Sequence, residues 1–318
     1  MKKIVAGVQT DVAFNDPVAN LQTMRRWLSD DRLADADLIV FPECMLSGYC
    51  FRSLEEAAAA AQTIPGPATD AIADWCRTND QFVAFGMLHR MVDGRIYNAC
   101  PIVGPRGVVG IYHKIHLPYL GVDRFVAAGE DAYQVYDLEG LRVGVHICYD
   151  GSFPESARVM ALQGADLLIL PTNWPPGALT FAKYLPNARA LENNVYYMSV
   201  NRIGTERGFR FIGLSRLCGV DGESMSEWDG TTCGIIKAEI DTDAARGKRI
   251  VRVPGEHIID RLADRRPEFY SEIVRPHALP RTRDMTADAA SAITSPDVTS
   301  AVMQSDVTPE PSERVDVR

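Results

Sequence analysis

Apolar positions along the chain follow two alternating periods. Ile4, Val5, Ala6, Gly7 and Val8 form a short run that reads as a strand, and Leu21, Met24, Trp27 and Leu28 then recur at helical spacing. Asp37 to Phe41 is a continuous apolar strand stopped by Pro42 and Glu43. Ser53, Leu54, Glu55 and Glu56 spell a capping box, which predicts an alanine-rich helix ended at Pro65-Gly66-Pro67, and Ile72, Trp75 and Cys76 mark another helix. From Phe82 to Lys114 the period is that of strands, with turn signals at Asp93-Gly94 and Pro105-Arg106-Gly107, so this stretch reads as antiparallel. Leu141 to Cys148 predicts a strand, Ser156 to Gln163 a helix, and Leu167 to Leu170 a strand stopped by Pro171. Further strands are expected at Val195 to Val200, Phe211 to Val220 and Thr231 to Ile240, with a turn at Asp221-Gly222. Such alternation defines an α/β class.

One internal echo bears on where chemistry sits. Ala36 to Pro42 (ADLIVFP) recurs as Ala165 to Pro171 (ADLLILP), each preceded by a helix candidate and each ending at proline. Ligands in α/β folds lie beyond the C-terminal ends of strands, so Glu43 and Thr172-Asn173-Trp174 become candidates for one shared crevice. The plainer reading is that Ala-Asp-apolar runs are common.

Composition narrows the class. With 46% hydrophobic and 24% charged residues over 318 positions, the chain can bury a large core and is neither disordered nor fibrous. The segment 281–318 differs: it holds no aromatic residue and no sustained period, with four arginines against seven acidic residues, and is expected to be a disordered tail. Residues 1–280 then read as a single domain, because no linker divides them. A net charge of −9 without a basic cluster argues against a nucleic-acid partner. No apolar run approaches the roughly 20 residues that span a bilayer, and Gln9-Thr10-Asp11 interrupts any signal-peptide core, so a cytoplasmic protein without a membrane anchor is expected. Seven cysteines without a CxxC pair fit neither a disulfide framework nor a zinc ribbon.

The common catalytic motifs are missing: no GxSxG, GxxxxGK[ST] or HExxH occurs. His113 and His116 flank Lys114, a cation that opposes metal binding, so neither a metal nor another cofactor is expected. Cys148 stands out by position, since it ends a strand and precedes a turn, Tyr149 to Glu155, that leads into a helix. A thiol there would lie beside backbone N–H groups able to hold an oxyanion; a buried core cysteine is the other reading. His146 lies two residues earlier on the same strand face, an arrangement that suits a packed histidine better than a base.

Three segments, taken in order, carry a resemblance: Phe41-Pro42-Glu43, then Tyr112-His113-Lys114-Ile115-His116-Leu117, then Ile147-Cys148-Tyr149-Asp150 with Phe153-Pro154-Glu155. Together they resemble the nitrilase superfamily of carbon–nitrogen hydrolases, over roughly residues 3 to 275, including Asn173-Trp174 and Asp264 to Glu268. The resemblance implies a four-layer αββα sandwich, a homo-oligomer built on a dimer, a small-molecule amide substrate, and a catalytic Glu43, Lys114 and Cys148. Glu43 would act as general base and then acid, Cys148 as nucleophile through a thioester, and Lys114 with the Tyr149 backbone N–H as oxyanion donors. Many members add a second glutamate; here Asp123 is the candidate, one methylene shorter, with a loop salt bridge to Arg124 as its other reading.

Tyr149-Asp150 stands where nitrile-converting members usually carry Trp-Glu, which favours amide cleavage. Gly151-Ser152 supplies none of the arginines with which carbamoyl amino-acid hydrolases hold a carboxylate, so a neutral or amine-bearing linear amide is expected. Trp174, Phe153 and Tyr49 are candidate apolar walls and Asn173 a polar anchor, with packing at the sheet margin as the alternative. Hydrolysis of N-carbamoyl amines is the second reading, since Phe153 to Arg158 also resembles the carbamoylputrescine branch; nitrile hydrolysis, acyl transfer and a non-catalytic binding role stand behind it. Cys44 and Cys50 are expected to flank the same region.

Overall fold

The computed structural model describes residues 1–284. Met1–Ala278 form one compact unit, and a second begins at Leu279. The tail expected over 281–318 lies, from residue 285 onward, outside the described residues.

Within the first unit the strands are β1 (Lys2–Gln9), β2 (Leu38–Val40), β3 (Phe82–Ala84), β4 (Met87–Arg90), β5 (Ile96–Gly104), β6 (Gly107–His113), β7 (Val135–Leu138), β8 (Leu141–Val145), β9 (Leu167–Thr172) and β10 (Tyr196–Asn201). After a short hairpin of β11 (Thr205–Glu206) and β12 (Phe209–Arg210) come β13 (Arg216–Cys218), β14 (Ser224–Glu227) and β15 (Gly234–Asp241). A second hairpin, β16 (Arg249–Val253) with β17 (His257–Asp260), closes the series. One sheet runs β15-β1-β2-β3-β5-β4 with β6 on β5, and the other β14-β13-β10-β9-β8-β7. The helices are α1 (Pro17–Leu28), α2 (Leu54–Ala60), α3 (Pro67–Asn79), α4 (Pro154–Leu162), α5 (Leu179–Asn193) and α6 (Thr242–Arg246).

The continuous apolar strands are buried on both faces, and the period of two sorts their residues into layers. Val5, Leu38 and Val40 of the first sheet meet Val143, Leu167, Ile169 and Met198 of the second in one central core. Ala6, Val8 and Ile39 point the other way onto Met24 and Leu28 of α1 and Ile72 and Cys76 of α3. Leu168 and Leu170 point outward onto Ala157, Met160 and Ala161 of α4 and Ala182 and Leu185 of α5. The result is the expected αββα sandwich. The sheets approach so closely at Gly7 that a Cβ there would lie 2.7 Å from Val200 Cγ2.

The echo at residues 36–42 and 165–171 is structural. Asp37 accepts the Ile4 N–H of β1 at 2.7 Å, and Asp166 accepts the Arg142 N–H of β8 at 3.0 Å. Each aspartate thus ties the start of its strand to a parallel neighbour, at corresponding places in the two sheets. Two expectations need correction. β9 continues through Pro171, paired with Val200, to Thr172. The strand expected over Phe211 to Val220 is reduced to Arg216–Cys218, because Gly213 and Leu214 take left-handed φ of 59° and 61° and bend the chain away.

Candidate active site

The loop after β2 delivers Glu43. The Phe41 N–H bonds the Ala84 carbonyl at 2.8 Å, so the chain stays registered on the sheet until Pro42 turns it. It then crosses Gly86 at a distance no side chain permits, since a Cβ there would lie 2.1 Å from Cys44 N. Lys114 follows β6, with its N–H on the Asn98 carbonyl at 2.9 Å. Asp123 sits in a 3-10 turn, Gly121–Arg124, and Cys148 opens another, Cys148–Ser152, three residues beyond the end of β8. Cys148 has φ 47°, a left-handed conformation unusual for a non-glycine residue and costing of order 1 kcal/mol or more.

These turns bring Glu43, Lys114 and Asp123 into one fully buried cluster. Lys114 Nζ lies 2.7 Å from Glu43 Oε1 and 2.6 Å from Asp123 Oδ2. Asn98 Nδ2 donates to Glu43 Oε1 at 2.7 Å and to Asp123 Oδ1 at 3.0 Å, and the Tyr49 hydroxyl donates to Asp123 Oδ2 at 2.8 Å. The two carboxylates differ. Asp123 has both oxygens engaged, whereas Glu43 takes both its donors on Oε1 and leaves Oε2 buried and unpartnered. Burial also raises the Glu43 pKa, against the pull of Lys114 and with the push of Asp123. Burial opposes the Lys114 charge, but Asp123 and Glu43 outweigh it and hold the ammonium protonated well above its ordinary range.

Cys148 feels the same groups. Burial and then the Glu43 charge push its thiol up to about 12, while Lys114, the Thr172 hydroxyl and the Asn173 N–H act in the opposite sense. At neutral pH the resting group is therefore a thiol rather than a thiolate, and attack needs a base beside it. The strand ends carrying Glu43 and Thr172-Asn173 thus meet at one cysteine, as the shared-crevice reading expects.

Asp150 ties the two sides of the site together. Its Oδ1 accepts the His116 N–H at 2.9 Å and bonds His116 Nδ1 at 2.7 Å, and its Oδ2 accepts from the Tyr112 hydroxyl at 2.8 Å and the Ile147 N–H at 2.9 Å. Tyr112 and His116 bracket Lys114, and Ile147 precedes Cys148, so one buried carboxylate joins the lysine segment to the nucleophile turn. Burial alone would raise the Asp150 pKa, but His116, the Ile147 N–H and Lys114 bring it below the ordinary value.

The remaining sequence candidates fall in different places. Tyr49 is not an apolar wall: its hydroxyl bonds Asp123 and its ring lies under Lys114 Nζ at 5.9 Å, inside the polar cluster. Trp174 is buried in the layer between β9 and the outer helices, with its N–H on Asn201 Oδ1 at 2.9 Å. Phe153 stacks on His116 at 3.8 Å and meets Tyr149 edge-on at 5.2 Å. Asn173 is buried with neither side-chain amide atom bonded. His146 bonds Ser156 Oγ at 2.9 Å and is pushed down to about 4 by burial, so it is a neutral packing group. His113 pairs with His89 at 2.8 Å and His116 with Asp150, so the two histidines share no site. Cys44 lies 3.6 Å from Asn98 Oδ1, and Cys50 donates its N–H to Glu206 Oε2 at 2.9 Å.

Asn98 lies outside the three motif segments, and Asp150, though inside the third, carries no bonding role in the sequence reading. A signal for Asn98 was present: an asparagine inside the otherwise apolar β5 must find buried partners.

A two-sheet αββα sandwich with a buried Glu–Lys–Asp cluster beside a cysteine defines a cysteine-dependent carbon–nitrogen hydrolase. The chain belongs to the carbon–nitrogen hydrolase family of the nitrilase superfamily, which it matches over residues 4–249. It is 37% identical over 268 residues to a protein named nitrilase from Pyrococcus abyssi, covering 84% of this chain and 98% of that one. It is 30% identical over 218 residues to the formamidase of Bacillus cereus, covering 67% and 64% of the two chains. Among solved structures it resembles a carbon–nitrogen hydrolase from Helicobacter pylori G27 (TM-score 0.76, 18% identity, 86% and 99% coverage). It also resembles a mutant amidase from Nesterenkonia sp. AN1 carrying the acetamide moiety of fluoroacetamide on its active-site cysteine (TM-score 0.69, 22% identity, 85% and 96% coverage). Among the described residues no helix is long and apolar enough to cross a membrane.

Proposed function

We propose that the protein hydrolyses small linear amides, with Cys148 as nucleophile, and that residues 1–280 form the hydrolase domain. Glu43 Oε2 takes the thiol proton as sulfur attacks the amide carbon, and the oxyanion that forms is held by Lys114 and the Tyr149 backbone N–H. The C–N bond breaks as Glu43 returns the proton to the departing ammonia or amine, leaving a thioester. Glu43 then deprotonates a water that attacks the thioester, releasing the acid and restoring the thiol. Asp123, with both oxygens engaged, orients Lys114, and Asn173 supplies a free amide for the substrate. The observation that carries this reading is the unpartnered Glu43 oxygen in a cluster whose charge acts on a protonated Cys148.

Arg158, at the end of the segment behind the carbamoyl reading, donates through NH2 to the Glu192 carbonyl at 2.8 Å and leaves NH1 buried and unpartnered. A panel of short amides, N-carbamoyl amines and nitriles, read by product release and by intact mass for an acyl adduct on Cys148, tests the proposal. Turnover of amides that is lost in Cys148→Ala supports it. Absence of product and adduct across the panel, or full turnover by Cys148→Ala, refutes it. Product ratios with an added amine acceptor separate hydrolysis from acyl transfer. The same reading includes a reducing, cytoplasmic setting and a homodimer across the outer face of α4 and α5, where Val159, Leu162, Phe181, Tyr184 and Leu191 are exposed. Sedimentation at dimer mass, shifted to monomer by Tyr184→Arg, is the expected result for that interface.

A further inference from the structure

Next to Tyr49, whose hydroxyl bonds Asp123 of the acid–base cluster, lies a cavity of about 280 Å³ that the hydrolysis described above does not use. Its wall includes Tyr49, the turn Gly121–Arg124 that carries Asp123, and three arginines, Arg52, Arg124 and Arg207. The guanidinium groups converge on one short stretch of chain. Arg124 NH2 donates to the Phe51 carbonyl at 3.1 Å and Nε to the Gly121 carbonyl at 3.1 Å, while Arg207 NH1 donates to the Cys50 carbonyl at 3.3 Å. Arg124 is further held against the Phe125 ring at 4.7 Å. It is a fixed fork without an ion-pair partner among the described residues, whereas Arg52 is exposed and lies near Glu56, which accepts its backbone N–H at 2.8 Å.

The acid in this wall is already engaged. Glu206 is buried, pairs with Arg202 and accepts the N–H groups of Tyr49 and Cys50 at 2.9 Å each. Arg207 is paired with Glu56. The cavity therefore presents one guanidinium without an ion-pair partner among the described residues, that of Arg124, and on the same wall the exposed Arg52, which also feels the charge of Glu56. A planar fork pinned by carbonyls and stacked on an aromatic ring is suited to bidentate recognition of a carboxylate.

We propose that this cavity binds a carboxylate, held by Arg124 and Arg52. The group is either the far end of an amide substrate or a separate small carboxylic acid. In both cases it bears on the wall formed by Tyr49 and the Asp123 turn, so its occupancy couples to the Lys114–Asp123 pair. A substrate acid there would differ from the neutral or amine-bearing amide expected from Gly151-Ser152, because the arginines come from other segments of the chain.

Two measurements decide the matter. Glutarate titrated calorimetrically into the Cys148→Ala protein should bind saturably with one site, and Arg124→Gln and Arg52→Gln should each weaken it about ten-fold. Arg52 makes no side-chain hydrogen bond among the described residues, so its variant tests the site without disturbing the fold. In the active protein, kcat/KM for 4-carboxybutanamide is compared with that for pentanamide, its neutral counterpart. A preference for the carboxylate that collapses in both variants assigns the cavity to the substrate's own acid group. Glutarate binding without such a preference assigns it to a free acid. No glutarate binding and no preference, or binding that both variants leave intact, overturns the proposal. The titration needs no turnover, so it decides the cavity even if the amidase reading fails.

Discussion

Replacing Asp150 by asparagine should separate the nucleophile from its neighbours while leaving both in place. The carboxylate takes four hydrogen bonds, two on each oxygen, from His116 N–H, His116 Nδ1, the Tyr112 hydroxyl and the Ile147 N–H. Asparagine keeps one acceptor oxygen and turns an NH2 toward the other two donors, so two buried donors lose their partner and meet a third. With charge-assisted bonds worth about 1.5 to 3 kcal/mol each, and some relaxation of the His116 ring, the loss of stability should be about 3 to 5 kcal/mol. Urea unfolding followed by circular dichroism measures it as a lower midpoint at unchanged slope. Activity should fall as well, because Tyr112 and His116 hold the Lys114 segment and Ile147 holds the Cys148 turn. A shift of about 1 Å between oxyanion donor and sulfur lowers kcat by about 10²-fold, with KM little changed. The clamp has a pH signature. Its folded-state pKa lies below the ordinary 3.8, so the stabilisation is fully present above that value and is lost as the pH falls through the lower folded pKa. In Asp150→Asn this acid-side dependence should shrink. A variant with wild-type midpoint and kcat within about three-fold of the parent would refute the clamp.

Glu43→Gln should lower kcat/KM by about 10³-fold or more, since it removes the carboxylate that leaves Oε2 unpartnered and whose charge acts on Cys148. In the parent, activity should fail on the acid side above the ordinary glutamate range of 4.5, because burial raises Glu43; a limb at or below that value contradicts the assignment. The thiol of Cys148, pushed up to about 12, should contribute no thiolate absorbance near neutral pH in a difference spectrum against Cys148→Ala, and a step below about pH 8 would reveal a preformed ion pair instead. Asn98→Leu keeps the size of the side chain but takes a donor from both Glu43 and Asp123; about 2 to 3 kcal/mol of stability and about ten-fold in kcat should go with it, and unchanged values of both would show that the bridge is idle.

The layers were legible in the sequence because each buried strand announces itself as an apolar run, and the period of two then assigns its faces. The proposed catalytic trio is marked only by its motifs, since an end-of-strand glutamate, a loop lysine and a strand cysteine are each ordinary alone. Where reading failed, long-range geometry had overridden local pattern. Helix α5 carries Pro186 in its interior and has no side chain at its N-cap, so neither its period nor its start is marked, and it forms because Ala182, Leu185 and Ala190 pack on the second sheet. The strand expected over Phe211 to Val220 breaks for a related reason. Ile212 N–H bonds the Trp174 carbonyl at 3.0 Å and Asn201 Nδ2 bonds the Gly213 carbonyl at 2.7 Å, so the chain there satisfies the loop beside Asn173 rather than a ladder.

The same logic explains why substrate class was harder to read than mechanism. The proposed attack, oxyanion stabilisation and proton transfer fall to Cys148, Lys114 and Glu43, each inside a recognisable segment. Arg52, Arg124 and Arg207 come from three separate places, and none is marked by its neighbours as a binding group. Only the fold makes them one wall, by wrapping the Cys50–Phe51 peptide with Arg124 on one carbonyl and Arg207 on the next. On the proposed reading, the residues directly after Cys148 therefore report on one edge of the site alone. The Arg124 side of the cavity belongs to the turn that also carries Asp123, so a carboxylate bound there and the Lys114–Asp123 pair would share a single structural element. Varying Arg124 should accordingly move specificity and the alignment of Lys114 together, whereas varying Arg52, which lies outside that turn, should move specificity alone.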